Sequence, residues 1–199
     1  MNPNPTDTTP KILTEEEKPV AEQTDLKLAF LDTSVFDDGA VIRGAALVTD
    51  SETRPLEFRC TSSIKPTSLQ RVLYGNTLDE YILVELISIP LMKVAKEKPN
   101  LILVRNGLFL QARPLLQYPV VLISRDSKTA LAPDTSDELK PIVISSHRDF
   151  SSETSTARQM LATLMQKRDL LEPFERVRVA LAEAHKQKIG DSTSGGARG

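Results

Sequence analysis

Three strand-like runs follow one another between Leu26 and Cys60, with only short turns between them. Leu26–Leu31 is brief and apolar, the pattern of a buried strand. Asp37-Asp38-Gly39 is turn chemistry. Val41–Thr49 is the second run. Its middle, Gly44-Ala45-Ala46, is thin enough for a neighbouring element to approach closely. After a turn at Asp50–Pro55, Leu56, Phe58 and Cys60 alternate with Glu57, Arg59 and Thr61, a period of two that predicts a strand with one buried face. Parallel pairing needs a crossover of a dozen residues or more, so short turns predict an antiparallel meander of three strands.

The chain then changes period. Thr67 or Ser68 is placed to cap a short helix through Tyr74, with Leu69, Val72 and Leu73 inward and Gly75-Asn76 as its stop. Thr77 and Glu80 have the spacing of a capping box for a longer helix running toward Lys98, which Pro90 should kink or split. Leu101–Val104 and Val120–Ile123 predict buried strands, with a helical stretch at Leu108–Gln117 between them. Arg125–Lys140 reads as a polar loop, and Ile142–Ser145 as a last strand at an edge. Two helices follow. The first carries the stripe Met160, Leu161, Leu164 and Met165, and the second, about Pro173 to Lys188, turns Phe174, Val177, Leu181 and Ala184 inward. A meander followed by strand–helix alternation predicts an α/β fold: a mixed sheet of five to six strands with helices on its faces.

At 199 residues the chain suits one domain with tails. Residues 1–24 are rich in Pro, Thr, Glu and Asn, and 190–199 in Ser and Gly, so both are expected to be disordered arms around a domain at 25–189. Hydrophobic residues make up 40%, enough for a core without staples. The formal net charge of -2 supplies no global field for coating nucleic acid, although a local groove stays open to an enzyme. Cys60 is the only cysteine and His147 and His185 the only histidines, so a metal would be held mainly by carboxylates, which favours a hard cation such as Mg²⁺. The acidic start has no signal pattern and no apolar run approaches the ~20 residues of a membrane span, so the expectation is a cytoplasmic protein with no membrane partner.

Three acids are candidates for chemistry. Asp32 ends the first strand, where it either reaches the sheet rim to meet a metal or bonds the following backbone amides. Glu85 shares a helical wheel with Leu78, Tyr81, Ile82, Ile89 and Met92, and a carboxylate on so apolar a face needs a metal or a cation such as Arg71 or Lys96. Asp149 follows the Ile142–Ser145 strand in His147-Arg148-Asp149, a candidate metal or anion site or simply a polar loop; Asp126 follows the previous strand. Arg59, Lys65, Arg71, Arg105 and Arg113 are either a phosphate-tracking groove or a solvated surface. No nucleophile elbow, phosphate loop, dinucleotide fingerprint or zinc spacing occurs.

Three antiparallel strands with Asp32 on the first, a helix with Glu85 and then a strand resembles the ribonuclease H-like superfamily. Within it, Ile89-Pro90-Leu91-Met92 and Lys98-Pro99-Asn100-Leu101-Ile102-Leu103-Val104-Arg105-Asn106-Gly107 look like endonuclease V, which has an Ile-Pro in its helix and a Lys-Pro-Asp-like lead into a strand ending Val-Asp-Gly. The resemblance covers about half of the chain and is mainly topological. It implies phosphodiester cleavage by divalent metals held on acids, with Asp32 and Glu85 as Mg²⁺ ligands and Asp149 or Glu153 as a late acid. The chain departs from that pattern in two places. Glu85 lies one helical turn before the family's helix Glu, whose place is nearest Ser88, and the strand-end Asp is replaced by Arg105 or Asn106. Two expectations result. One is a nuclease-like domain of nucleic-acid processing with a divergent or degenerate acid cluster; the other is a non-catalytic scaffold on the same fold that binds a protein partner.

Overall fold

The computed structural model describes residues 26–125 and 141–191. Six strands form one sheet in the order β3-β2-β1-β4-β5-β6. They are β1 (Leu28–Phe36), β2 (Val41–Thr49), β3 (Pro55–Cys60), β4 (Leu101–Val104), β5 (Val120–Arg125) and β6 (Ile142–Ser146). β1, β2 and β3 pair antiparallel, as their short turns require. β4 joins β1 in parallel, β5 joins β4 in parallel, and β6 closes the far edge antiparallel. The mixed sheet expected from the order of periods is therefore the sheet observed.

Side-chain alternation sorts the core into two layers. Ala29 and Leu31 of β1, Ala46 of β2, and Ile102 and Val104 of β4 pack against helices that supply Leu78, Ile82, Ile87 and Leu91. These helices run on from one another, after a short α1 (Ser68–Tyr74), as α2 (Leu78–Tyr81), a π-helical stretch (Ile82–Ser88) and α3 (Ile89–Val94). Gly44 lies where they cross β2: a Cβ there would come within 2.2 Å of Ile87 Cγ2, so the thin middle of β2 does admit a close neighbour. On the opposite face, Leu28, Phe30, Ala45, Leu47, Leu101 and Leu103 pack under α4 (Glu153–Lys167) and α5 (Glu172–Lys186), which contribute Leu161, Phe174, Val177 and Leu181.

Three local expectations are corrected. The capping box forms at Thr67 and Gln70, at the head of α1, and not at Thr77, whose hydroxyl donates to Tyr74 O at 2.8 Å. Leu69, Val72 and Leu73 do not turn inward; they are 67%, 79% and 71% exposed, because α1 stands off the sheet. On β3 the apolar side chains Leu56 and Phe58 are exposed, since this edge strand extends past its covering helices, while Glu57 accepts the Lys96 and Glu97 amides, each at 2.8 Å. The helical stretch expected at Leu108–Gln117 is present as a run of 3-10 turns, Gly107–Leu115, in keeping with Pro114. The Asp126 candidate lies outside the described residues.

Candidate functional site

Asp32 and Arg105 meet because β1 and β4 are parallel neighbours. Leu31 pairs with Val104, so the next residue of each strand arrives at the same rim. Both share the side-chain parity of Phe30 and Leu103, and therefore face α5. Arg105 Nε lies 3.9 Å from Asp32 Oδ2, and its Nη1 donates to Glu175 Oε1 of α5 at 3.1 Å. Arg178 Nε donates to the other Glu175 oxygen at 2.9 Å. The Arg105 guanidinium also lies 5.6 Å from the centroid of the Phe174 ring. The result is an alternating row of acid and base: Asp32, Arg105, Glu175, Arg178.

Burial raises the Asp32 carboxyl above its ordinary range; the Thr33 amide, donating at 2.9 Å, and the Arg105 charge lower it by less, and Glu175 adds to the rise. Hydrogen bonds from Arg178 and Arg105 hold Glu175 below the usual carboxylate range.

The other candidate acids stand elsewhere. Glu85 is exposed, so it needs no buried counterion. The physical reason is the π-helical stretch, whose hydrogen bonds close at i→i+5 and shift the wheel on which Glu85 would share an apolar face. Ser88 is buried there instead, and its hydroxyl donates to Leu83 O at 2.6 Å. Asp149 is also exposed. It follows β6, three strands from β1 or roughly 14 Å at ~4.8 Å per strand, and leaves the sheet at the end opposite Asp32. His147 is buried beside it, and its Nδ1 accepts the Asp149 amide at 3.2 Å. Glu153 is held by Arg113, with contacts of 2.6–2.9 Å.

Mg²⁺ does not fit this donor set. A hard cation wants several oxygens. Here one Asp32 oxygen accepts a backbone amide, both Glu175 oxygens are bonded to arginines, and the Arg105 charge stands between the two acids. Among the described residues no group of three or more His, Cys, Asp or Glu side chains is arranged to hold a metal.

The expected cationic groove is largely neutralised too. Arg59 pairs with Glu57 at 2.6 Å, and Arg105 and Arg113 are paired as above. Lys65 makes no salt bridge among the described residues, and Arg71 donates to Gly39 O at 3.4 Å. Both lie toward the β1–β2 turn, away from Asp32. Sequence reasoning missed Glu175. The available signal was its place beside the inward Phe174, combined with a strand-end arginine that needs an acid.

No helix among the described residues is long and apolar enough to cross a membrane. No family model matches the chain, and no curated protein does. Among solved structures, endonuclease V from Streptomyces avermitilis is similar, with a TM-score of 0.56 and 16% identity over 82% of this chain and 83% of that one. Endonuclease V from Bacillus subtilis also has a TM-score of 0.56, with 13% identity over 81% and 83%. The six-stranded mixed sheet with its flanking helices is thus an endonuclease V-like fold.

Proposed function

We propose that this chain is a nuclease-like domain of nucleic-acid processing that binds its nucleic acid and does not cleave it by a metal-dependent route. One observation carries the reading: Arg105 occupies the rim position between Asp32 and Glu175 and supplies there the positive charge that a divalent ion would bring. The fold supports the nucleic-acid context, and Lys65 and Arg71 put the available cations at the β1–β2 turn.

The test is fluorescence anisotropy with labelled single-stranded and duplex oligonucleotides, read alongside cleavage in Mg²⁺ or Mn²⁺. Binding should weaken with salt, persist in chelator and leave the strands intact. Arg105→Asp should bind Mg²⁺ more tightly in calorimetry than the natural chain does. Metal-dependent cleavage by the natural chain, lost in Asp32→Ala, would overturn the proposal.

A second reading, a scaffold for a protein partner, is favoured by α1, whose Leu69, Val72 and Leu73 are exposed together. No oligonucleotide binding at low salt would favour it over the first.

A further inference from the structure

The described residues contain three buried side-chain nitrogen or oxygen atoms without a hydrogen-bond partner: Ser34 Oγ, Arg43 Nη1 and His185 Nδ1. All three gather at one end of the β1–β2 pair. Ser34 and Arg43 are register partners, with the parity of the α5-facing layer. Two residues beyond Ser34, Phe36 stacks on His185 with ring centroids 4.2 Å apart. Buried polar groups ordinarily find partners, so three orphans in one place mark a spot the protein does not satisfy by itself.

Arg43 is fully buried. It donates to Thr61 O at 2.7 Å and to Ile189 O, and makes no salt bridge among the described residues. A buried guanidinium with no carboxylate in salt-bridge contact is costly. The nearby Asp191 accepts the Ser63 amide at 2.7 Å and its hydroxyl at 2.8 Å; these bonds, and then the Arg43 and Lys65 charges, hold its carboxyl below the ordinary range, so it offsets part of the positive charge here.

Above this group opens a polar cleft of about 720 Å³, rimmed by Lys65, Lys186 and Lys188, with His185, Asp37 and Asp191 in its wall. The three lysines make no salt bridge among the described residues. Gly190, also in the wall, connects cleft and base: a Cβ on it would lie 3.7 Å from Arg43 Nη2. The negative end of α5 is blunted. The carbonyls of Glu183, Ala184 and His185 accept the amides of Gln187, Ile189 and Lys188 at 3.0, 2.9 and 3.0 Å.

We propose that this cleft is an anion site for a phosphoryl group, with Lys65, Lys186 and Lys188 as its contacts and buried Arg43 as fixed positive charge beneath. It is separate from the Asp32 rim. Asp37 follows Asp32 by five positions, about 16 Å at ~3.3 Å per residue of strand. The site does not require nucleic acid as its ligand.

The test is calorimetric titration of the full chain with inorganic phosphate and pyrophosphate, against chloride at matched ionic strength. Saturable phosphate binding is expected, weakened about tenfold by Lys65→Gln or Lys188→Gln, the loss of one charge-assisted contact, and unchanged by Lys93→Gln on α3. Arg43→Gln should weaken it as well; if that variant does not fold, the rim variants decide. Phosphate heats no larger than chloride, or equal losses in Lys93→Gln, would overturn the proposal. A 5′-phosphorylated oligonucleotide that binds more tightly than its unphosphorylated form would identify a nucleic-acid end as the source. Phosphate binding without oligonucleotide binding would keep this site and remove the nucleic-acid reading.

Discussion

Two ends of β1 handle charge in opposite ways. At Asp32 each charge has its opposite within reach, through Arg105, Glu175 and Arg178. At Phe36 the buried Arg43 and three rim lysines outnumber Asp37, which pairs with His185, and Asp191, which bonds Ser63 and offsets only part of the Arg43 and Lys65 charge. The first region is closed on itself. The second keeps positive charge that folding alone does not use. A nuclease-like outline thus directs attention to the rim where the chain has least to offer a ligand, and the uncompensated charge directs it elsewhere.

The contrast can be broken most severely at Arg43. Arg43→Gln should cost roughly 1–3 kcal/mol in denaturant unfolding, because the carbonyls of Thr61 and Ile189 lose the guanidinium that donates to them. Phosphate should raise the melting temperature of the natural chain by more than that of the variant.

Lys188 sharpens the comparison. It holds a positive φ of 53° where glycine is the usual residue. Lys188→Gly should therefore stabilise the chain by about 1 kcal/mol while weakening phosphate binding. A lysine serving structure alone would show no such opposition.

Asp32→Asn should give the smallest change. Burial raises the Asp32 carboxyl, so the folded state holds that proton more tightly than the unfolded chain. Ionised Asp32 therefore subtracts stability above its folded-state range, and this penalty fades as pH falls through and below the ordinary carboxylate range. The asparagine variant should be slightly more stable at neutral pH and lose its advantage in acid. Thermal melts across about pH 3–8, a range that spans carboxylate titration, would show it. A loss of stability at neutral pH would mean that the pair with Arg105 outweighs the burial.

Much of the fold is legible in the sequence because strand parity and turn length are local properties. The meander, the buried strands Leu101–Val104 and Val120–Ile123 and the inward stripe of α5 are all present. What escapes depends on distant packing. Leu69, Val72 and Leu73 have the spacing of a buried face but no neighbour to bury it. Glu85 falls on an apolar face only on a 3.6-residue wheel, which the π-helical stretch does not follow. Asp32 can be read as a rim acid, but its neighbour across Arg105, Glu175, lies 143 positions later, the difference between 175 and 32. Arg43 carries a signal of its own: a charge within an apolar strand, at the parity of Ala45 and Leu47.

The wide turn at Ile82–Ser88 also acts as a frame offset. It accommodates one residue more than an α-helical turn of the same span. Counting along this helix against an uninterrupted one therefore falls out of step, and side chains that coincide in space no longer coincide in number. A carboxylate sought by spacing alone arrives at exposed Glu85 or buried Ser88 according to where the count begins. Superposition of backbones, and not alignment of letters, is the ruler that suits this part of the chain.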